Sequence, residues 1–159
     1  MSCGWFSPSW RYLAARAVVP GYPCHGTPGS RVASEAMPSN EAIANTVKSY
    51  LEFVAKGTAD DVLTLYSTDA TLEDPIGSDV RRGRDAIHEF YANVQDIPKE
   101  TELAELRVVG NEAAFFWHLT LQAGDTRTRI SPISLMTFDD DAKITSMRAF
   151  WSPSEVRVV

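Results

Sequence analysis

The sequence predicts an α+β domain, helices first and a curved antiparallel sheet after them. Two patterns and one composition argument carry that prediction. Apolar residues recur with a helical period before Pro98, and from Glu102 onward they follow strand-like runs separated by short turns. The 159 residues, with 44% hydrophobic and 23% charged side chains, have the balance of an ordinary globular domain.

Ser39 followed by Glu41 reads as a helix start, a capping side chain with an acid in the first turn. Ile43, Val47, Tyr50, Leu51 and Val54 then form one apolar face, and Gly57 closes the helix. Thr58 offers a cap for a second, shorter helix containing Val62, Leu63, Leu65 and Tyr66. A short strand over 70–74 must end, or lie at an edge, at Pro75. Gly83-Arg84-Asp85 leads into a third helix with Ile87, Phe90, Tyr91 and Val94 on one side. Strands are predicted over 102–109, 112–121, 127–138 and 143–151, as an antiparallel meander. Strand parity puts Ile130, Ser134, Met136 and Phe138 on one face, and Met147 with Trp151 on one face of the next strand. Such a face is either core or the wall of an apolar cavity, and periodicity does not choose between them.

Residues 1–36 differ from the rest. They hold both cysteines, four of the nine prolines, four of the nine glycines, and three Arg against one Glu. We expect a disordered N-terminal extension over 1–36, with Met37 as a candidate natural start, and one domain over 37–159. That domain carries 12 Lys+Arg against 20 Asp+Glu, so binding to a nucleic-acid backbone is not expected. No apolar run has the roughly 18–20 residues of a membrane span. Residues 37–159 contain no cysteine, which suits a cytoplasmic setting.

Few chemical motifs are present. His25, His88 and His118 are scattered, so no metal is expected, and no dinucleotide, P-loop or serine-hydrolase signature occurs. Arg81-Arg82-Gly83-Arg84 is a compact basic patch, read as a solvated turn before a helix, with anion or partner contact as the other reading. In Glu73-Asp74-Pro75 only one of two neighbouring acids can face inward. A carboxylate against apolar walls gains basicity, as a general base requires; two solvated acids at a strand end are the alternative. Tyr50, Tyr66 and Tyr91 fall on the apolar faces of the three predicted helices. They could form a connected chain of phenols that polarises its last member, or be three independent tyrosines.

With Tyr50, Leu72-Glu73-Asp74-Pro75-Ile76-Gly77-Ser78, Ile87 through Asn93, Asn111 through Phe115 and Ser146 through Phe150 in view, the chain resembles the Δ5-3-ketosteroid isomerases of the SnoaL-like, nuclear-transport-factor-2-like superfamily. The resemblance runs from about Asn40 to Trp151. It implies a cone-shaped α+β barrel, usually a homodimer, with a deep apolar pocket for a hydrophobic steroid and no cofactor. By the same resemblance Asp74 matches the base that carries a proton from C4 to C6. Tyr50 matches the donor to the O3 oxygen, and Tyr91 and Tyr66 match supporting phenols. Met147 and Trp151 match pocket positions, and Phe90, Phe116, Met136 and Phe138 are further candidates for the lining.

One position departs from the family. Its second oxyanion donor is a protonated aspartic acid, and Ser134 stands there, a shorter and less acidic donor. Outright loss of such a donor costs on the order of 10²–10³ in rate. The expected function is therefore a slower steroid Δ-isomerase. The alternatives are another SnoaL-like pocket enzyme, a cyclase or hydrolase, and a non-catalytic binder of hydrophobic ligands.

Overall fold

Ser39 starts helix α1 (Asn40–Lys56) as its side chain predicts, its Oγ accepting the Ala42 N–H at 3.1 Å. Ile43, Val47, Tyr50, Leu51 and Val54 form the buried stripe. The helix stops at Gly57, whose N–H donates to Phe53 O at 2.8 Å. Its φ of −87° is open to any residue. Space requires the glycine, because a Cβ there would lie 2.9 Å from Phe53 O. The computed structural model describes residues 37–159; the extension expected over 1–36 lies outside the described residues.

Thr58 and Asp61 cap α2 (Ala59–Leu63) reciprocally: Asp61 N–H donates to Thr58 Oγ1, and Thr58 N–H to Asp61 Oδ2. This helix is shorter than predicted. Leu65 O accepts from Ile144 N at 2.8 Å, and Tyr66 already pairs with Ile144, so the sheet takes the backbone that a further helical turn would use. Arg84 Nη1 covers the Leu63 and Tyr66 carbonyls at the changeover, 3.3 Å from each. Tyr66 thus opens strand β1 (Tyr66–Glu73) and does not lie on a helix. β1 pairs antiparallel with β2 (Arg81–Arg82), after which α3 (Gly83–Ala92) buries Ile87 and Tyr91.

The rest of the chain is sheet: β3 (Lys99–Val109), β4 (Glu112–Ala123), β5 (Thr126–Ile130), β6 (Ile133–Phe138), β7 (Ile144–Phe150) and β8 (Arg157–Val158). It is not a plain meander. The run predicted as one strand over 127–138 is two, divided at Ser131-Pro132, where proline offers no N–H to a ladder. β5 then pairs with the C-terminal part of β4 and β6 with its N-terminal part. β7 lies between β6 and β1, antiparallel to the first and parallel to the second. The order is β2-β1-β7-β6-β4-β5-β8, with β3 on the other edge of β4. This curved, unclosed, mostly antiparallel sheet with three helices is the predicted cone-shaped α+β fold.

Met136, Phe138 and Met147 are buried to 2% exposure or less, in one cluster with Ile43, Val47 and Leu72. On the opposite face of the sheet, Phe116, Ile133, Leu135 and Phe150 are exposed. They adjoin in the ladders, Phe116 opposite Ile133 and Ile133 opposite Phe150.

Candidate active site

β1 and β7 run parallel, with Glu73 opposite Arg148, so their ends emerge side by side. Asp74 follows one strand and Trp151 the other, and Trp151 Nε1 donates to Asp74 Oδ1 at 2.7 Å. The two neighbouring acids part here. Glu73 accepts from Gly77 N at 2.9 Å and Arg148 Nε at 3.3 Å, and the Gly77 N–H above all holds its carboxyl below the usual range. Asp74 lies in a cavity wall, where burial pushes its carboxyl up against the smaller opposing pulls of the Trp151 N–H and the Arg81 charge. One strand end therefore supplies a carboxyl held below the usual range by its donors and, beside it, a carboxyl of raised basicity.

Three buried phenols form a chain. Tyr91 OH donates to Tyr50 OH at 3.2 Å and lies 2.9 Å from Tyr66 OH. A phenol has one proton, so with Tyr91 donating to Tyr50 the shared proton between Tyr66 and Tyr91 belongs to Tyr66. The order Tyr66, Tyr91, Tyr50 leaves the Tyr50 proton free to be given outward. Burial pushes Tyr50 and Tyr91 well above the usual phenol range, and Tyr50 is raised further by Tyr66 and Asp74. A phenol so raised keeps its proton, the state a donor needs.

The cavity holds about 260 Å³. Asp74, Tyr91, Phe90 and Trp151 line it, with Val54 and Val62 from the helices and Leu119, Leu121 and Ile130 from the sheet. Tyr50 stands one hydrogen bond behind Tyr91, outside the lining. Ser134 is fully buried on β6 and also outside it.

Four expectations for the lining need correction. Met136, Phe138 and Met147 are core under the helices, and Phe116 is on the outer face because its neighbours Phe115 and Trp117 are the inward ones. Val54, Val62, Val94, Leu119 and Leu121 line the cavity without having been expected in a lining; their spacing is that of any core stripe. Lys99 also borders the cavity, but its Nζ is spent on the carbonyls of Val94, Gln95 and Ile97 at 2.6–3.0 Å.

Comparison with known proteins agrees with this architecture. A model of the SnoaL-like domain matches residues 47–147. A steroid Delta-isomerase of Nocardioides simplex is 48% identical over 112 residues, 70% of this chain and 91% of that protein. The structure of the epoxide hydrolase/cyclase-like enzyme SalBIII, of pyran ring formation in the polyether salinomycin, superposes with a TM-score of 0.70 at 27% identity. It covers 75% of this chain and 97% of its own. RV0760c of Mycobacterium tuberculosis gives 0.70 at 18% identity over 76% and 98%, a likeness of fold. With 101 residues under the family model and the predicted cone around them, this chain belongs to the SnoaL-like family.

Proposed function

We propose that the protein is a steroid Δ-isomerase that converts Δ5-3-oxo-steroids to their Δ4 isomers. Asp74 removes a proton from C4, the C–H electron pair moves into the ring, and negative charge gathers on O3 of the dienolate. Tyr50 donates to that oxygen, with Tyr91 and Tyr66 behind it. The same carboxyl then returns the proton at C6, which leaves the conjugated enone. Atoms balance without a cofactor or metal.

The observation that carries this reading is the meeting of Asp74 and Tyr91 at one apolar cavity, with Tyr50 next in the phenol chain. The likeness to the Nocardioides simplex steroid Delta-isomerase supports the substrate class. In this reading a planar hydrophobic ligand fills the cavity between Phe90 and Trp151, and its carbonyl end presses inward past Tyr91 to Tyr50. The test follows the enone's ultraviolet absorbance. Turnover should fall by about 10²–10⁴ in Asp74→Asn and fall strongly in Tyr50→Phe; a wild-type protein that makes no enone ends the proposal.

A non-catalytic carrier of hydrophobic ligands is the second reading, favoured by one observation, the hydroxyl at position 134 in place of an acid. Tight steroid binding without enone formation would establish it.

A homodimer belongs to the same proposal. Its support is the exposed apolar face of Phe116, Ile133, Leu135 and Phe150. Leu135→Asp should then sediment as a monomer, and unchanged sedimentation would remove the dimer. A cytoplasmic location completes the reading and is checked by fractionating the native cell.

A further inference from the structure

Trp117 lies on β4 and Ser134 on β6, where Ser134 faces Phe115, two residues before Trp117 and on the same side of the strand. Trp117 Nε1 donates to Ser134 Oγ at 3.0 Å. The two residues are 3% and 0% exposed, so water does not compete for the bond. An indole N–H can only donate. It therefore occupies one lone pair of the serine oxygen and leaves the serine proton for another acceptor. Among the described residues none takes it; the indole is the hydrogen-bond partner of that hydroxyl.

The same indole meets the Tyr50 ring edge-on, with centroids 6.2 Å apart and planes at 80°. Phe115, the ladder partner of Ser134, does likewise at 6.4 Å and 70°. Both β4 neighbours of the serine thus pack on the ring of the proposed O3 donor. A free serine hydroxyl turns among three staggered positions. The indole bond disfavours those that would put the hydroxyl proton against its own N–H.

We propose that Trp117 is a positioning residue, holding the Ser134 hydroxyl so that its proton points at the ligand oxygen that Tyr50 also serves. This rests on the isomerase reading above. Serine accepts the indole N–H and still has a proton to give.

The test is a double-mutant cycle on the full chain, measuring kcat and KM for a Δ5-3-oxo-steroid in wild type, Trp117→Phe, Ser134→Ala and the double variant. Trp117→Phe should lower kcat about tenfold, within the range that misplacing a reacting group costs, while KM stays within about twofold. In the Ser134→Ala background the same change should have little further effect. Unchanged kcat in Trp117→Phe, or losses that simply multiply, would overturn the proposal while leaving a working isomerase. A wild type without turnover removes both. Should Trp117→Phe fail to fold, the Trp117 indole N–H resonance carries the test. Adding the Δ4-3-oxo product should shift it in wild type and not in Ser134→Ala, and equal shifts in both would refute the coupling.

Discussion

Replacing Trp151 by Phe isolates the hydrogen bond on the proposed base. The ring stays, so most of the cavity wall stays, and what is lost is the 2.7 Å bond from Nε1 to Asp74 Oδ1. A hydrogen bond to a charged group is worth about 1.5–3 kcal/mol. Asp74 is partly exposed and keeps the attraction of Arg81, so the low end of that range applies. At 1.36 kcal/mol per unit, the Asp74 pKa should rise by about one. The direction follows from which form the bond favours: it stabilises the carboxylate, so its loss favours the acid. Since the proposed mechanism needs the carboxylate, activity should fail at higher pH than before. A pH profile of kcat/KM would show the acidic limb about one unit higher, with the plateau reached later. A limb that stays in place, or moves down, would show that this carboxyl does not govern turnover.

Four further substitutions bear on the same site and its frame. Asp74→Asn should lower kcat by about 10²–10⁴, the usual share of a general base, yet raise Tm at neutral pH. Burial raises the folded-state pKa, so ionised Asp74 costs stability above that pKa, and an amide removes the cost while still accepting from Trp151. A lower Tm would contradict the burial argument. Tyr91→Phe breaks the phenol chain in its middle and leaves two buried hydroxyls short of a partner; it should cost about 1–3 kcal/mol in a denaturant titration and more activity than Tyr66→Phe, which removes only the outermost link. Ala142 sits at φ 57° in the turn between β6 and β7, a conformation strained for any side chain, so Ala142→Gly should raise stability by about 1 kcal/mol.

What the sequence made legible follows from how local each signal is. Helix α1 could be read residue by residue because its caps and apolar stripe are properties of consecutive positions. Tyr66 could not, because the helix it was expected to extend is ended by β7, some eighty residues away, pairing with its backbone. The break at Ser131-Pro132 was masked by an apolar alternation that continues on both sides of it. Phe116 was misplaced by its chemistry, since an aromatic among aromatics suggests a lining, whereas its parity puts it outside. The boundary between core and cavity left no trace in the pattern at all. Along the inward side of β4, Phe115 and Trp117 are buried core, and Leu119 and Leu121 face the cavity. The period is the same throughout, so it carries no mark of where the packing opens into the cavity.

In the proposed mechanism an ionised carboxyl and a dienolate occupy one apolar site in turn, and Lys99 at its border has its Nζ committed to backbone carbonyls. That mechanism starts with the negative charge on Asp74, at a cost in the direction of its raised pKa. In the proposed reaction, proton abstraction neutralises Asp74 as charge appears on the ligand oxygen, so one charge moves across the cavity and none is added. The differential stabilisation then depends on donors at the receiving end that hold their protons while Asp74 is charged. Tyr50 meets that condition because burial above all, with Tyr66 and Asp74 adding to it, holds its pKa up. The serine at 134 meets it by being a hydroxyl. Arg81 stacks on Phe90 at 4.5 Å and pulls the Asp74 carboxyl toward its ionised form, so in this mechanism it favours the resting carboxylate over the displaced charge. A strong cation at that place would slow the transfer; a cation held at the edge, partly in solvent, steadies the base and leaves the receiving end to neutral donors.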